Sequence, residues 1–596
     1  MQHQLQDDIM RLTQADEITH TELIQPLWNH YGTLSRVRLR GGVYQSVIVK
    51  HIKIPQQRHH PRGFTGSISH QRKVKSYQVE AHWYSRYQRL LPNTTPTPRC
   101  LSVLSKGDEL CLVLEDLGEL GFDRVLNVAS WDEMKLVISW LASFHAQFLG
   151  ITPDGLWPRG TYWHIETRPD ELAEIEGTRL HRFASLIDAR LRQCRFQTLV
   201  HGDAKLANFC FSSDHTSVAG VDFQYIGRGC GMSDLAYFVG SCLSEARCQA
   251  LEADILEVYF TALRGVSYDE IDIDQLETEW RALYPVAWAD FQRFMLGWSP
   301  HHRKLTTYSA KMTDYVIVQI RDELLSAARE ACLAAGALIL SRQAHISSIS
   351  SKGLTSSAGD VVTEVDIAAQ SLILDHLASS ISRYDLGVLA EEGAQDESRL
   401  SKHAFWAIDP LDGTQAFVEG HEGFAVSIAL VSQRGESLIG VVYDPVRQEL
   451  YQAVKGEGVT INDAPLIPVK SNVERDEPIT LFADRSLSAH PHFERYQARC
   501  DVRFIGGAVM NTLSLLKEPK SCYIKPPKRD LGGGAIWDFA AVSLMLAEAG
   551  GEVYRYDGSP LLMNRPESVY FNETGITFLS ADLSYSSLQE RLSASS

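Results

Sequence analysis

The chain has 596 residues, 44% hydrophobic and 22% charged, which is the composition of an ordinary globular protein with room for about four lobes of ~150 residues. Its formal net charge of −17 argues against general nucleic-acid binding, which requires a basic surface. The ten cysteines include no C-x-x-C pair, so zinc and dithiol redox motifs have no support, and reduced thiols in a cytoplasmic protein are expected.

The N-terminal part predicts a small sheet and a helix. Residues 8–30 have a helical pattern, and apolar runs on either side of a Gly-Gly pair predict a β-hairpin that closes at Lys50. Residues 54–75 are basic and polar without periodicity, which predicts a mobile loop, and residues 76–91 predict a helix. The apolar run 111–117 predicts a further strand. No signal peptide and no apolar run of ~18 residues is apparent, so no membrane span is expected.

A phosphoryl-transfer pattern begins at Asp203, in the segment His-Gly-Asp. Asn208 follows five residues later, and Asp222 comes at the end of the next apolar run. In such a layout one acid positions the attacking hydroxyl, while the amide and the second acid hold Mg²⁺ on the nucleotide phosphates. Asp234, in the segment Asp-Leu-Ala-Tyr-Phe, is expected to steady the catalytic loop.

With these motifs in this order, residues of about 20–310 resemble the aminoglycoside/choline kinase superfamily, and in particular its ecdysteroid-kinase-like branch. The resemblance implies a kinase-like α+β bilobal domain over residues 1–312, with ATP as co-substrate and a small-molecule alcohol as acceptor. By the family's pattern, the site comprises Asp203 as catalytic base, Asn208 and Asp222 as metal ligands, Lys50 with Glu80 on the nucleotide phosphates, and Glu115 to Leu117 at the adenine hinge. Lys53 competes with Lys50 for the lysine role.

The second half carries acids where apolar segments end or predicted helices begin. An apolar strand pattern runs into a Pro- and Gly-containing turn, and a helix follows it. The residues concerned are Asp366, Glu391, Asp409, Asp412, Thr414 and Asp538. The segment Asp-Pro-Leu-Asp-Gly alone also fits a surface turn, but solvated acids have no reason to follow apolar strands in this way. Oxygen ligands suit Mg²⁺ and a helix N-terminus suits phosphate, so the pattern predicts metal-assisted phosphate ester hydrolysis.

These residues resemble the inositol monophosphatase superfamily of Mg²⁺-dependent, lithium-sensitive phosphatases, over about residues 315–590. The resemblance implies a layered α/β (αβαβα) sugar-phosphatase-like domain over residues 313–596 and a homodimer through that domain. It assigns Glu391, Asp409, Asp412, Asp538 and the Leu411 carbonyl as metal ligands, and Asp366 with Thr414 as the pair that orients the attacking water.

The sequence leaves the substrate of this half open. Leu411 in the segment DPLDGT resembles the 3′(2′),5′-bisphosphate nucleotidases, whereas the following residues 415–417 fit neither these nor the inositol phosphatases. The basic residues Lys525, Lys528 and Arg529 either bind a second substrate phosphate or form a solvated loop.

Both halves together predict a bifunctional enzyme, a small-molecule kinase fused to a Mg²⁺-dependent phosphatase. The second half would cleave a phosphate monoester, either a nucleotide like 3′-phosphoadenosine 5′-phosphate or an inositol or sugar phosphate. One alternative retains only the phosphatase and makes the kinase-like half a nucleotide- or metabolite-sensing regulatory module. A third is a scaffold for partner enzymes. Partners are expected to be small molecules, with no nucleic acid and no membrane.

Overall fold

The computed structural model of the protein describes residues 3–54, 66–266, 271–350, 355–393, 397–467, 478–491, 493–529 and 534–593. The chain divides into two compact units, Met1–Val318 and Gln319–Ser596. The point of division lies inside a helix, and each unit contains hydrophobic clusters of its own.

The first unit has its longer strands in its N-terminal part and its longer helices in its C-terminal part. Its helices are α1 (His3–Thr13), α2 (Gly66–His82), α3 (Trp131–Gln147), α4 (Pro169–Ala173), α5 (Arg179–Arg192), α6 (Gly231–Cys242), α7 (Glu245–Arg264) and α8 (Ile273–Trp298). Its strands are β1 (Glu17–Pro26), β2 (Gly32–Arg40), β3 (Ser46–Lys53), β4 (Cys100–Lys106), β5 (Glu109–Glu115), β6 (Arg124–Val125), β7 (Thr198–Val200), β8 (Phe209–Phe211), β9 (Val218–Gly220) and β10 (Gly227–Gly229).

The largest sheet of this unit is antiparallel throughout, with the strand order β1-β2-β3-β5-β4. In the central strand β3, Val47 and Val49 are buried in one hydrophobic cluster. Because successive side chains of a strand point to opposite faces, Ile48 and Lys50 lie on the other face, where they line a cavity.

Two sequence predictions for this region are wrong. The helix predicted over residues 8–30 ends at Thr13, and Glu17–Pro26 forms the edge strand β1. Almost every residue of β1 is exposed, so its sequence carries no alternation of buried and exposed positions. The loop predicted over residues 54–75 ends earlier, because α2 begins at Gly66; residues 55–65 lie outside the described residues.

The helical part of the first unit supports one irregular segment, His201 to Asn208. Strand β7 leads into this segment and pairs with β10, while β8 follows it and pairs with β9. Helices α3, α6, α7 and α8 pack around these short strands. The segment is therefore an irregular loop on a helical base, which suits a position where polar side chains must converge.

A long helix, α9 (Thr307–Ser350), follows α8. Within the described chain, its stretch Thr307–Gln343 is long and apolar enough to cross a membrane, and 39% of its most apolar window is buried in the protein. Core helices of globular proteins meet the same criteria, so the expectation that no segment crosses a membrane stays a prediction.

The second unit contains two sheets. Its helices are α10 (Thr355–Tyr384), α11 (Ser398–Ser401), α12 (Thr414–Val418), α13 (Phe493–Gln497), α14 (Ala508–Leu513), α15 (Ile536–Glu548) and α16 (Tyr585–Ser593). Its strands are β11 (Gly387–Ala390), β12 (Ala404–Asp412), β13 (Ala425–Ser432), β14 (Ser437–Asp444), β15 (Glu449–Val454), β16 (Gly458–Ile461), β17 (Ala464–Pro465), β18 (Ile479–Phe482), β19 (Cys500–Arg503), β20 (Ser521–Lys525), β21 (Glu552–Arg555) and β22 (Ile576–Leu579).

These elements stack as helix, sheet, helix, sheet, helix. The first sheet runs in the order β11 to β17, and the second has the order β19-β18-β20-β22-β21. Helix α15 packs between the sheets, and α10 covers the first sheet, where Trp406 Nε1 donates to Ser380 Oγ at 3.0 Å. Leu588 and Leu592 of α16 are buried against the second sheet. The layering agrees with the αβαβα arrangement that the resemblance implied.

One prediction about a site residue is wrong in this unit. The sequence pattern placed Asp366 at the beginning of a predicted helix, but α10 begins at Thr355 and Asp366 lies in its interior. The helix extends upstream through residues of mixed polarity. Because apolar residues do not recur there at helical spacing, the sequence does not indicate where the helix starts.

Candidate functional sites

Lys50 is the centre of a buried ion-pair network in the first unit. Its ammonium donates to Glu80 Oε1 at 2.8 Å and to Asp222 Oδ1 at 2.8 Å. Burial opposes the charged form, but the carboxylates of Asp222 and Glu80 outweigh it and raise the pKa of Lys50 well above its ordinary value. Lys53, the competing candidate, pairs with Glu109 at 3.1 Å and is half exposed. The structure therefore brings Lys50 together with Glu80 and Asp222.

Asp222 faces the same cavity from the loop after β9. Its φ angle is +68°, a left-handed conformation that is strained for a non-glycine residue and often marks a functional position. Burial would raise the pKa of Asp222, but the ammonium of Lys50, followed by those of Lys205 and Lys73, lowers it well below its ordinary value. An ionised carboxylate is therefore held there at neutral pH.

Asp203 and Asn208 share a hydrogen-bond network. Asn208 Nδ2 donates to the Asp203 carbonyl at 2.8 Å, and Tyr237 Oη donates to Asp203 Oδ1 at 3.0 Å. Lys205 Nζ donates to the other carboxylate oxygen at 2.9 Å. Sequence reasoning missed Tyr237 and Lys205. Tyr237 lies three residues after Asp234 in α6, one helical turn along, a spacing that could have pointed to it.

Asp234 fixes the loop that carries Asp203. It accepts hydrogen bonds from the backbone amides of His201, at 2.5 Å, and Gly202, at 2.9 Å. His145 Nε2 lies 3.1 Å from the same carboxylate and is fully buried. Asp234 therefore has the bracing role that the sequence suggested, and His145 packs inside the unit.

A cavity of about 990 Å³ joins these groups to the predicted hinge. Glu115 ends β5 and is paired with Arg99, and Leu117 begins a short 3₁₀ turn next to it. Within the first unit, the cavity brings together all the sequence-predicted site residues, namely Lys50, Glu80, Glu115, Leu117, Asp203, Asn208 and Asp222.

The second unit clusters three carboxylates. β11 and β12 are parallel, with Ala390 paired to Ile408, so the next residues, Glu391 just after β11 and Asp409 within β12, lie side by side. Asp538, in the first turn of α15, reaches this point from the side, and one oxygen from each of the three acids lies within 4.8 Å of the others. A set of carboxylate oxygens this close together fits a hard divalent cation such as Mg²⁺.

The cluster concentrates negative charge. Glu391 is exposed at the surface, but desolvation by the surrounding protein, followed by the charge of Asp538, raises the pKa of its carboxyl to about 7. Burial, and then the charges of Glu391 and Asp538, raise the pKa of Asp409 well above its ordinary value. Like charges at this separation disfavour full ionisation, so a bound cation would stabilise the ionised form of the group.

Asp412 takes a different position. β12 has an irregularity between Asp409 and Asp412, and the Asp412 carboxylate accepts hydrogen bonds from the amides of Ala508, at 3.0 Å, and Val509, at 2.8 Å. These amides open α14 directly after a Gly-Gly pair. The contact between these amides and Asp412 joins residues 96 positions apart in the chain, so no local sequence pattern signals it.

The remaining predicted residues lie around the cluster. Thr414 Oγ1 donates to the Leu411 carbonyl at 3.2 Å, the carbonyl that was predicted to hold metal. Asp366 is buried and its Oδ1 has no hydrogen-bond partner in the described part of the chain. Burial, and then the charge of Glu392, raise the pKa of Asp366 to about 7. No hydrogen bond links Asp366 to Thr414 among the described residues, so their shared role stays a prediction.

Two family models match this chain. The inositol monophosphatase family matches residues 320–591, and the ecdysteroid kinase-like family matches residues 32–149 and 161–268. Both resemblances drawn from the sequence are thereby confirmed. The kinase-like match and the cavity with Lys50 and Asp203 lie in the same unit.

Curated relatives match the second half. An inositol-1-monophosphatase of Synechocystis is 35% identical over 243 residues, covering 40% of this chain and 80% of that protein. The Nus factor SuhB of Escherichia coli is 32% identical over 209 residues, covering 34% of this chain and 74% of that protein. A solved inositol monophosphatase from Anabaena is 27% identical and covers 43% of this chain and 90% of that one, with a TM-score of 0.34.

Replacing Lys50 by Met should strongly destabilise the first unit. The substitution removes the ammonium that pairs with both the buried carboxylate of Glu80 and that of Asp222, and breaking a buried ion pair typically costs about 3–5 kcal/mol. Lys53→Met removes a half-exposed pair with Glu109 and should cost less than about 1 kcal/mol. Urea unfolding followed by circular dichroism measures both, and equal losses would contradict the central role of Lys50.

Mg²⁺ should stabilise the second unit more at pH 8 than at pH 6. Because the pKa of Glu391 in the folded protein is about 7, against an ordinary 4.5, its contribution to stability is full below pH 4.5 and is lost as pH rises through 7. A cation that binds the ionised acids offsets this loss, by about 2.7 kcal/mol at a hundredfold excess over Kd.

The measurement is the melting temperature with Mg²⁺ and with EDTA at each pH, with Asp409→Asn as the control that should lose the response. An equal Mg²⁺ effect at pH 6 and pH 8 would refute the assignment of the ionised cluster as the cation site.

Gly507→Ala should disable the site of the second unit. A methyl group at this position would lie 2.2 Å from Asp412 Oδ2, so either the carboxylate or the start of α14 must shift. Gly458→Ala is a matched control: its methyl meets no atom within 4 Å, although its φ of +84° carries a cost of about 1–2 kcal/mol. Phosphate release by Gly507→Ala should fall at least tenfold below that of the control; similar rates would argue against a role for the Asp412–α14 contact.

Proposed function

This chain belongs to the inositol monophosphatase family through its second half, and from that premise we propose a bifunctional enzyme in which a small-molecule kinase is fused to a Mg²⁺-dependent phosphatase. Members of this family are metal-dependent phosphatases. The kinase, the substrates and the individual site roles are the proposal. The main support for the proposal is that, in each unit, the residue types that the matching family uses for catalysis lie close together.

In the second unit, Glu391, Asp409 and Asp538 would hold the cation, with Asp412 and the Leu411 carbonyl beside them. A divalent cation there supplies Lewis-acid charge to the phosphate ester and acidifies water. The protein's own part is to orient that water. Thr414 is tied to the Leu411 carbonyl, and the unpartnered Asp366 Oδ1 is available to accept a proton from water.

We propose an inositol or sugar monophosphate as the preferred ester. Lys525, which would have served a second substrate phosphate, donates to Asp484 Oδ2 at 2.6 Å, so a carboxylate already balances its charge. The names of the relatives also support this choice. A 3′-phosphoadenosine 5′-phosphate-like nucleotide is the second candidate, supported by Leu411 in the DPLDGT segment.

In the first unit, Lys50 would contact the phosphates of ATP, with Glu80 holding it in place, and Glu115 to Leu117 would face the adenine. Asn208 and Asp222 would hold Mg²⁺, and Asp203 would accept the proton of the acceptor hydroxyl. Tyr237 and Lys205 keep both oxygens of Asp203 in position. The alternative, in which this unit senses a nucleotide without transferring phosphate, keeps the cavity but needs none of the contacts around Asp203.

Two substitutions should separate the activities. Asp203→Asn removes the proton acceptor and should lower ATP-dependent phosphorylation by about 10²–10⁴-fold while nucleotide binding is kept. Asp409→Asn removes a cation ligand and should lower phosphate release by at least about 100-fold. Each variant should leave the other activity unchanged.

Phosphorylation is measured with γ-labelled ATP against an alcohol panel, and phosphate release with inositol 1-phosphate and with 3′-phosphoadenosine 5′-phosphate. Nucleotide binding without transfer to any alcohol in the wild type would favour the sensing module. Phosphate release that Asp409→Asn leaves intact would overturn the assigned phosphatase site.

A further inference from the structure

The cavity of the first unit has a second end, beyond Asp203, that the nucleotide assignment does not use. Tyr237, which donates to Asp203, lies 3.4 Å from the hydroxyl of Tyr162 and leads to a group of aromatic side chains. Tyr162 packs edge-on against Phe294 at 5.4 Å, and Phe294 stacks on Trp298 at 5.8 Å between ring centroids. These residues all line the cavity and form an apolar wall next to the proposed proton acceptor.

The same end carries excess positive charge. The cations that line this part of the cavity are Arg72, Lys73, Arg168, Lys205 and Lys304, and the acids near them are Asp203, Asp222 and, behind the lining, Glu171. Lys205 is paired with Asp203, and Arg168 with Glu171. Lys73 donates to the neutral amide oxygen of Gln224, and Arg72 to the Thr167 carbonyl. The positive charge at this end is therefore only partly balanced.

Among these cations, Lys304 lies close to the proposed proton acceptor. Its ammonium lies 4.3 Å from the centre of the Tyr237 ring, so it sits one side chain away from Asp203. Across the described residues, no carboxylate forms an ion pair with it. Burial, opposed by Asp203 and reinforced by Lys205, lowers the pKa of Lys304 to about 8, which is the response of a cation that lacks a counter-ion.

We propose that Lys304 is the specificity-determining residue for the kinase acceptor, and that this acceptor is an alcohol carrying an anionic group and an apolar ring. The anion would pair with Lys304, and the ring would lie on the wall of Tyr162, Phe294 and Trp298. The inference rests on the proposed kinase function. Cationic and neutral acceptors lack the anionic group that would pair with Lys304.

Phosphate transfer exchanges one bond for another at the γ-phosphorus of ATP. The acceptor oxygen forms a bond to the γ-phosphorus of ATP while the bond from that phosphorus to the bridging oxygen breaks. The hydroxyl proton passes to Asp203, and ADP leaves. Lys304 takes no part in this exchange; it positions the acceptor through the anion, which places the hydroxyl near Asp203.

Three matched probes test the charge preference: 4-(hydroxymethyl)benzoate, its neutral amide, and 4-(hydroxymethyl)benzylamine. 4-(Hydroxymethyl)phenylphosphonate replaces the carboxylate to distinguish a carboxylate site from a phosphate site. Binding is measured by calorimetry on the full chain with a non-hydrolysable ATP analogue and Mg²⁺. Transfer from γ-labelled ATP is measured in the Asp409→Asn background, so that the phosphatase unit does not remove the product.

The wild type should bind the benzoate or the phosphonate at least about tenfold more tightly than the amide. Lys304→Gln should remove this preference, Lys304→Arg should restore most of it, and Lys304→Glu should favour the amine. Lys311→Gln, an exposed lysine of the same unit, is the matched control. Retained affinity for the ATP analogue shows that each variant is folded.

Equal affinity of the wild type for all probes, or a preference that survives Lys304→Gln, would overturn the proposal. Failure of the kinase function gives a different result, because anion binding would then depend on Lys304 while no probe receives phosphate. Loss of ATP-analogue binding in Lys304→Gln, with an unchanged circular dichroism spectrum, would show that Lys304 serves the nucleotide, which also overturns the acceptor assignment.

Discussion

The constraint on which the second unit depends is the close approach of three carboxylates, Glu391, Asp409 and Asp538. Full ionisation of this group costs free energy unless a cation is bound, and the raised pKa of Glu391 expresses that cost. The three acids lie close together because β11 and β12 pair in parallel and the first turn of α15 lies beside them. Metal dependence is therefore a consequence of how the acids are packed.

In the first unit, a lysine ammonium of the protein itself stabilises the buried carboxylates. Lys50 balances the carboxylates of Glu80 and Asp222 at 2.8 Å each, so this network carries its counter-charge within the protein. A Mg²⁺ ion at Asp222 would share that carboxylate with Lys50. Further into the cavity, Lys304 has no such partner among the described residues, and our proposal assigns that counter-charge to the acceptor.

Much of both sites could be predicted from the sequence because their chemistry is concentrated in short segments. The Asp203 to Asn208 spacing and the Asp409 to Thr414 turn place several groups within a few residues, so local geometry brings them together. The residues that were missed, Tyr237, Lys304 and the α14 amides on Asp412, are distant in the chain from the groups that they contact. Local spacing gives at most an indirect signal for such contacts, as the position of Tyr237 one helical turn after Asp234 does.

By itself the sequence determined that two families are joined, which residue types carry the chemistry, and that apolar strands lead into the acids of the second half. The tertiary structure decided the choice of Lys50 over Lys53, the interior position of Asp366 in α10, and β1 as a strand where a helix was expected. The physical reason is the range of the interactions. Motifs depend on neighbours along the chain, whereas charge pairing, burial and strand pairing depend on residues that only folding brings near.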